Sequence, residues 1–224
     1  MSEAQTFDIL VAGGGMIGSA LALGLSRQGW HVGLVEGSGH ESLVEAPDSA
    51  TTVADFEPRV SAISVASQKL LEQLGVWSEV TAGRHCPYQT MTVWDGDGTG
   101  RIQFEAAELQ ARALGTIVEN RSIVRSLFRA LEQSPVELID GARITGCKRL
   151  SGTYTVELED GRSLSAGLLV GCDGANSRLR HWVGLPTREW DYDQQAIVCT
   201  VKTSQTHRFT AWQRFSTTGF TSFQ

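Results

Sequence analysis

Three glycines and one acid have the types and the spacing of a nucleotide site. Gly13, Gly15 and Gly18 follow the pattern G-x-G-x-x-G, and Glu36 comes a little over twenty residues after the first of them. In such a pattern the first glycine allows a tight turn, the second lets the backbone approach a pyrophosphate, and the third lets a helix pack on a strand. A carboxylate at the position of Glu36 can accept hydrogen bonds from ribose hydroxyls, and it would repel a 2′-phosphate.

The residues that begin the helix complete this site. Backbone N–H groups at a helix start, here those of Met16 and Ile17, have no partner within the helix and carry a partial positive charge that favours phosphate. The sequence therefore predicts a bound adenine dinucleotide, and the alternative is a glycine-rich turn without a ligand. The motif alone does not choose between FAD and NAD.

The elements around the glycines are those that must position them. FDILVA (Phe7–Ala12) is a short apolar run that predicts a buried parallel strand. Ser19–Gly29 is a small-residue segment that predicts a helix able to pack close to a sheet, and Trp30–Glu36 predicts the second strand. Strand, helix and strand together predict a β-α-β unit.

A second group of polar residues follows another apolar strand, in LLVGCDGANSRLR (Leu168–Arg180). Asp173 can accept hydrogen bonds from a ribose or another polyol, Gly174 permits close approach of the backbone, and Ser177 can cap a helix. Arg180 can pair with Asp173 or with a phosphate. Taken alone, the segment is equally compatible with an ordinary strand–turn–helix corner.

Together the two motifs resemble those of the class A flavoprotein monooxygenases, the group similar to para-hydroxybenzoate hydroxylase. EPRVSAISVAS (Glu57–Ser67) is similar to the segment whose arginine, here Arg59, lies near the flavin in the ubiquinone-biosynthesis hydroxylases of that group. The alternative for Arg59 is a solvated loop arginine. The similarity covers essentially the whole chain and continues in LLEQLGVW, CPYQTMTVWD, IVEN and TAWQRF.

This resemblance implies FAD as the cofactor and NAD(P)H as the co-substrate, with Asp173–Arg180 bordering the flavin. It implies hydroxylation of a small aromatic or polyprenyl-quinol ring with O2 through a flavin C4a-hydroperoxide. The sequence around His85–Tyr88 resembles that of one branch of the family, the hydroxylases that act late on the polyprenyl-methoxy-methyl-benzoquinol ring. No catalytic residue can be placed from the sequence, and Met91 and Val93 are interpreted as core rather than as pocket residues.

Other functions stay open at this point. One is a different oxidoreductase on the same nucleotide-binding base, such as an FAD-dependent reductase or oxidase or an NAD-dependent dehydrogenase. Asp173–Arg180 argues against a plain NAD enzyme. Another is a non-catalytic flavoprotein subunit within a ubiquinone-biosynthesis complex.

The remaining chain predicts alternating helices and strands. Residues 37–58 predict a long loop, and Ser61–Gly75 predicts a helix in its later part, capped by Ser64 or Ser67. Glu119–Gln133 predicts an amphipathic helix with Ile123, Val124, Leu127, Phe128 and Leu131 on one face, and residues 177–184 predict a short helix. The predicted strands are Thr90–Asp95 with Arg101–Glu105 as a hairpin, Val136–Asp140, the arms of an Asp160-Gly161 hairpin, Ala196–Thr203 and Phe209–Phe215.

This order predicts an α/β fold: a Rossmann-like FAD-binding domain with an inserted, mostly antiparallel sheet domain for the substrate. Residues 1–80 and 111–184 are assigned to the FAD-binding domain. Residues 81–110 and 185–224 are assigned to the substrate domain. A later Gly-Asp motif typical of the family is missing from the chain. We therefore expect a C-terminally truncated fragment, with exposed sheet edges and with its own flavin affinity and turnover in question.

The composition of the chain bears on whether it binds nucleic acid, metal ions or membranes. The formal net charge is −6 and the arginines form no basic stripe, so nucleic acid is not expected. The four cysteines and five histidines have no metal-ligand spacing, so no metal is expected. No apolar run approaches the roughly 20 residues that span a bilayer. We expect a cytoplasmic protein, and leave open a peripheral contact at the inner membrane face, a biosynthetic complex and a homo-oligomer.

Overall fold

The computed structural model describes residues 5–39 and 52–223, and these residues form two compact units. Unit 1 holds residues 5–39, 74–76 and 123–197, and unit 2 holds residues 52–73, 77–122 and 198–223. Each unit is thus assembled from stretches that are distant in the chain. The borders and labels of the two predicted domains stay predictions, and residues 40–51 of the predicted loop lie outside the described residues.

Strands dominate both units. In chain order they are β1 (Gln5–Ala12), β2 (Val32–Glu36), β3 (Val60–Ser64), β4 (His85–Tyr88), β5 (Thr90–Asp95), β6 (Arg101–Glu105), β7 (Gly115–Glu119), β8 (Glu137–Asp140), β9 (Ile144–Leu150), β10 (Thr153–Leu158), β11 (Ser163–Gly171), β12 (Thr210–Ser216) and β13 (Gly219–Phe223). The helices are α1 (Met16–Arg27), α2 (Val65–Gln73), α3 (Trp77–Val80), α4 (Asn120–Glu132) and α5 (Arg178–Trp182). Within the described ranges no helix is both long enough and apolar enough to cross a bilayer.

Unit 1 is built on one six-stranded sheet in the order β8-β2-β1-β11-β10-β9. The first four strands run parallel to their neighbours, whereas β11, β10 and β9 pair antiparallel. Helix α1 links β1 to β2, because parallel neighbours need a crossover connection. Leu10, Val11 and Leu34 are at most 1% exposed. This arrangement confirms the predicted β-α-β unit and the Rossmann-like base.

Helix α4 precedes β8 and contributes most of its length to unit 1. Ile123, Leu127 and Phe128 lie on its apolar face and are at most 2% exposed. Val124, which the spacing also placed on that face, is only half-buried. The predicted amphipathic helix is confirmed, with its buried stripe one residue narrower than expected.

Unit 2 contains two smaller sheets. One has the order β3-β7-β4 and is antiparallel throughout. The other has the order β13-β12-β5-β6, in which β12 runs parallel to β5 and the other pairs are antiparallel. The predicted hairpin of β5 and β6 is confirmed, and so is the predicted strand at β12.

Several local predictions need correction. Ala196–Thr203 forms no strand, and its apolar residues Ile197 and Val198 are 93% and 68% exposed. Its residue types favour a strand, but a strand also needs a neighbour to pair with. Strands β3, β4, β7, β9 and β13 were not predicted from the sequence. The start of α2 was predicted well, since the Ser67 N–H donates to Ser64 Oγ at 3.2 Å.

Candidate functional site

The carboxyl ends of three parallel strands in unit 1 meet at one edge of the sheet. Ala12 at the end of β1 pairs with Val35 of β2 on one side and with Gly171 of β11 on the other. The next residues continue this contact: Gly13 N–H donates to Val35 O at 2.8 Å, and Cys172 N–H donates to Ala12 O at 2.7 Å. In open α/β sheets, ligands bind in the crevice outside such strand ends.

Two of the predicted glycines are required by close backbone packing in this crevice. Gly13 has a φ of +102°, and a Cβ added there would lie 2.4 Å from Cys172 O. A Cβ at Gly18 would lie 1.8 Å from Gly13 O and 3.1 Å from Cys172 Cβ. The distances of 2.4 Å and 1.8 Å to backbone oxygens leave no room for a side chain at either glycine. These two residues therefore bring α1 and the turn after β11 against the end of β1.

The N-terminus of α1 is open. Gly15 is its N-cap, no side chain caps it, and its first turn contains no acid. A Cβ at Gly15 would meet nothing within 4 Å among the described residues, and Ile17 is 72% exposed while Met16 is half-buried. The start of α1 thus has open space at Gly15 and no side-chain cap, which leaves room for a pyrophosphate.

Glu36 reaches back to the glycine loop from the end of β2. Its Oε2 accepts a hydrogen bond from Gly14 N–H at 2.6 Å, and its Oε1 accepts one from Ser38 N–H at 2.7 Å. Each carboxylate oxygen has a second lone pair, so both can still accept a ribose hydroxyl. These two hydrogen bonds therefore orient the carboxylate and leave each oxygen able to accept a further hydrogen bond.

Gly14 is a site residue that the sequence reasoning missed. A Cβ there would lie 2.9 Å from the Phe128 ring and 3.0 Å from Glu36 Oε2. Its carbonyl oxygen accepts a hydrogen bond from Ser19 Oγ at 2.8 Å, and Ser19 is fully buried. The signal was present in the sequence, because Gly14 is the middle one of three consecutive glycines and occupies a position that the G-x-G-x-x-G pattern leaves open.

The turn after β11 forms a compact hydrogen-bonded corner. Asp173 Oδ1 accepts from Ser177 Oγ at 2.6 Å, and Asp173 Oδ2 accepts from Leu179 N–H at 3.2 Å. Ser177 Oγ accepts from Arg180 N–H at 3.0 Å, so Ser177 caps α5 as predicted. The Arg180 guanidinium donates to Ala175 O at 2.6 Å, a partner that the sequence did not suggest.

Cys172 lies between the two motifs and is half-buried. Burial raises the pKa of its thiol, and the negative charge of Asp173 raises that pKa further. A thiol of raised pKa stays protonated near neutral pH and is a poor nucleophile. Within residues 5–39 and 52–223, no group of three or more His, Cys, Asp or Glu side chains is arranged to hold a metal ion.

Arg59 belongs to unit 2, whereas all the other predicted site residues belong to unit 1. It precedes β3 and is exposed. Its carbonyl oxygen accepts a hydrogen bond from Asn120 N–H at 3.0 Å, and its own N–H donates to Glu57 Oε1 at 3.2 Å. The backbone of Arg59 is thus well anchored within unit 2.

Unit 2 also has a cavity of about 340 Å³ on its four-stranded sheet. Trp94 and Trp212 line it with their ring centroids 6.3 Å apart in an edge-to-face arrangement, and Thr92, Asp95 and Arg101 supply polar atoms. Met91 and Val93, which the sequence suggested as core, do not line it. Side chains alternate along a strand, so the cavity is lined by their neighbours on β5 instead.

The parallel sheet, the glycine-lined crevice and the acid at the end of β2 define a dinucleotide-binding protein of the Rossmann type. Residues 6–218 match the sequence family described as "FAD binding domain". The chain belongs to this family. The match covers nearly the whole chain and confirms the predicted family and fold class.

Two curated relatives are similar to the chain over nearly its whole length. The chain is 36% identical over 222 residues to the 3-demethoxyubiquinol 3-hydroxylase of Escherichia coli (strain K12), covering 98% of this chain and 54% of that protein. It is 35% identical to the mitochondrial ubiquinone biosynthesis monooxygenase COQ6 of Danio rerio, covering 97% of this chain and 47% of that protein. The chain therefore spans about half the length of these relatives.

A solved structure shows the same relationship. It is that of PqsL, a probable FAD-dependent monooxygenase from Pseudomonas aeruginosa, with a TM-score of 0.67 and 25% sequence identity. The match covers 84% of this chain and 48% of PqsL. Sequence and fold thus agree with the predicted resemblance to the flavin monooxygenases.

The crevice geometry predicts that two alanine substitutions differ in their effect on stability. Gly18→Ala forces a Cβ into Gly13 O, so we expect it to lower the free energy of unfolding by about 1–3 kcal/mol. Gly15→Ala places its Cβ in open space at a φ of −65°, so we expect the stability of the ligand-free protein to change by less than about 0.5 kcal/mol. Urea unfolding followed by circular dichroism measures both, and equal losses would contradict the crevice described above.

Proposed function

We propose that this chain binds FAD as part of an FAD-dependent monooxygenase that hydroxylates a quinol ring in ubiquinone biosynthesis. The observation that carries the proposal is the uncapped start of α1, with open space at Gly15 and Glu36 held beside it. The substrate class is supported by the names of the relatives, which are ubiquinone-biosynthesis hydroxylases from several organisms.

Geometry supports the proposed roles of the glycine loop and of Glu36, and the family resemblance supports that of Asp173–Arg180. The first-turn N–H groups of Met16, Ile17 and Gly18 bind the pyrophosphate. Glu36 accepts hydrogen bonds from the adenosine ribose through the lone pairs that Gly14 and Ser38 leave free. Asp173–Arg180 continues the same strand-end crevice from β11 and borders the flavin side.

Arg59, which lies in unit 2, is also proposed to bind the flavin, as the resemblance of its segment implies. Its guanidinium supplies a positive charge, which suits a flavin whose phosphates and reduced ring carry negative charge. When bound, FAD would supply the redox chemistry, taking electrons from NAD(P)H and activating O2 toward the ring. The chain's own residues then hold the cofactor, orient it and keep its adenosine end in place.

Flavin content tests the cofactor assignment. We expect this chain, reconstituted with FAD, to show the visible absorbance of a bound flavin, and to retain less of it on gel filtration after Gly15→Ala, Glu36→Ala or Arg59→Ala. Loss of a charge-assisted hydrogen bond should weaken FAD binding by roughly tenfold or more.

The full-length Escherichia coli relative serves as the reference in this experiment, and Glu157→Ala serves as the matched control. Glu157 is exposed, and among the described residues its carboxylate pairs only with Lys148, at 3.3 Å. Unchanged FAD affinity in both Glu36→Ala and Arg59→Ala would show that the cofactor is placed wrongly. Turnover that consumes no O2 would instead favour another class of flavoprotein.

The cavity in unit 2 is the proposed site for part of the aromatic substrate. Two indoles at right angles can pack against a planar ring, and Arg101 and Asp95 can bind its oxygen substituents. We expect Trp212→Ala to weaken binding of a soluble short-chain quinol roughly three- to tenfold, because one face of the ring loses its contact. Calorimetric titration measures it, with the exposed Trp30→Ala as control. Equal affinities in the two variants would contradict this assignment.

A peripheral membrane contact is a finer part of the proposal, because polyprenyl quinols reside in membranes. Exposed apolar side chains on β6, β12 and β13 support it, among them Ile102, Phe104, Phe215 and Phe220. We expect the protein to float with liposomes, and Phe220→Ser to reduce the bound fraction. Absence of flotation at any lipid concentration would exclude this contact. Assembly with a second copy or with other biosynthetic enzymes is proposed on the same surface, and it would raise the mass seen by light scattering.

A further inference from the structure

We propose that Glu119 is a positioning residue: through Arg84 and Arg121 it fixes the segment of unit 2 that carries Arg59. This inference rests on the proposed function in one respect only, namely that Arg59 contacts the flavin. Glu119 binds Arg84 and Arg121, which in turn contact residues 55–56, and we call these three side chains within unit 2 the clamp.

The centre of the clamp is a carboxylate shared by two arginines. Arg84 binds Glu119 with both arms of its guanidinium, Nε to Oε1 at 2.8 Å and the Nη2 atom to Oε2 at 3.1 Å. Arg121 adds Nε to Oε2 at 2.7 Å. A two-armed contact of this kind fixes direction as well as distance.

Both arginines also bind the same carbonyl group in the segment. Arg84 donates to Asp55 O at 3.3 Å, and Arg121 donates to Asp55 O at 2.8 Å. Arg84 in addition lies over the Phe56 ring, with its guanidinium carbon 4.8 Å from the ring centroid. The two cations therefore hold residues 55–56 from two directions, and Glu119 holds the cations.

The other end of the segment is tied to the residues next to Glu119. Val60 pairs with Glu119 across β3 and β7, and Asn120 N–H donates to Arg59 O at 3.0 Å. Ser61 Oγ donates to Asn120 Oδ1 at 2.6 Å. Residues 119–121 thus hold the segment on both sides of Arg59, at residue 55 and at residues 59–61.

Burial makes this arrangement depend on the charge of Glu119. The residue is 6% exposed, whereas ordinary surface carboxylates are solvated. Burial alone would raise its pKa, but the hydrogen bonds and charges of Arg84 and Arg121 outweigh burial, and the pKa of Glu119 lies below its ordinary value. A buried carboxylate that stays ionised holds its partners firmly, and removing that charge leaves two cations to repel each other.

Within the part of the chain that the structure describes, the backbone of Arg59 is held by hydrogen bonds, but its side chain is not. It is exposed, and among the described residues no hydrogen bond or ion pair engages its guanidinium. A fixed backbone that carries an unengaged cation is suited to a ligand outside the clamp, because little conformational freedom is lost when the ligand binds.

Limited proteolysis tests the clamp without any cofactor. Trypsin cleaves after Arg59 only when the segment opens, so the rate of cleavage at the Arg59–Val60 bond reports how firmly it is held. We expect Glu119→Gln to raise this rate about tenfold or more. Glu105→Gln is the matched control, because Glu105 is exposed and lies in the same unit. Cleavage after Arg188, exposed in unit 1, serves as the internal reference.

Two further variants distinguish loss of the clamp from general unfolding. Arg84→Lys and Arg121→Lys keep the positive charge but lose the planar fork, and we expect each to raise cleavage after Arg59 about threefold or more while the thermal midpoint changes little. Cleavage rates equal to that of Glu105→Gln in all three clamp variants would overturn the proposal. If Glu119→Gln does not fold, the two lysine variants decide whether the clamp fixes the segment that carries Arg59.

FAD titration tests the consequence for the cofactor. We expect Glu119→Gln to weaken FAD binding as Arg59→Ala does, and the double variant to lose no more than either single one, because both act through the same guanidinium. Additive losses would overturn the positioning role, since a general loss of stability adds to the loss of Arg59. If the wild-type chain binds no FAD, the proposed function fails, whereas proteolysis still decides whether Glu119 fixes the segment.

Discussion

The nucleotide crevice depends on one close approach of backbone to backbone. The glycine loop after β1 lies so near the turn after β11 that a Cβ at Gly13 would be 2.4 Å from Cys172 O. A Cβ at Gly18 would lie even closer, 1.8 Å from Gly13 O, so the first turn of α1 packs directly against the glycine loop. Its free N–H groups and Glu36 are thereby brought to the same edge of the sheet. The anion-binding character of the site is thus a consequence of packing that leaves no room for side chains.

The two units are stabilised by different interactions. Unit 1 has an apolar centre in which Leu10, Val156 and Ala166 are fully buried within one cluster. Unit 2 also contains a buried carboxylate that is shared by two arginines. Buried ion pairs contribute little net stability, but they define direction. This contrast is consistent with unit 1 providing a rigid base and with unit 2 orienting particular backbone segments.

The sequence predicted those features that follow from local pattern. Gly13, Gly15, Gly18 and Glu36 identified the crevice, and the apolar runs of β1 and β2 identified its sheet. It failed where structure depends on distant partners. Ala196–Thr203 was predicted as a strand but pairs with no strand among the described residues, whereas β3 and β4 become strands by pairing with β7 on its two sides. The clamp at Glu119 could not be predicted, because its arginines come from separate elements and its ligand at Asp55 is a backbone carbonyl, which every residue possesses.

The pairing of β1 has a consequence for how the chain acquires its structure during synthesis. One edge of β1 finds its partner in β2 about twenty residues later, but the other edge pairs with β11, about 160 residues later. At ribosomal rates of about 5–20 residues per second, that edge waits on the order of ten seconds or more. Contacts so distant in sequence slow folding, because the long loop must close before they form. The nascent chain therefore carries an open strand edge while the residues between β2 and β11 are synthesised, and a chaperone that covers such edges would act in this interval.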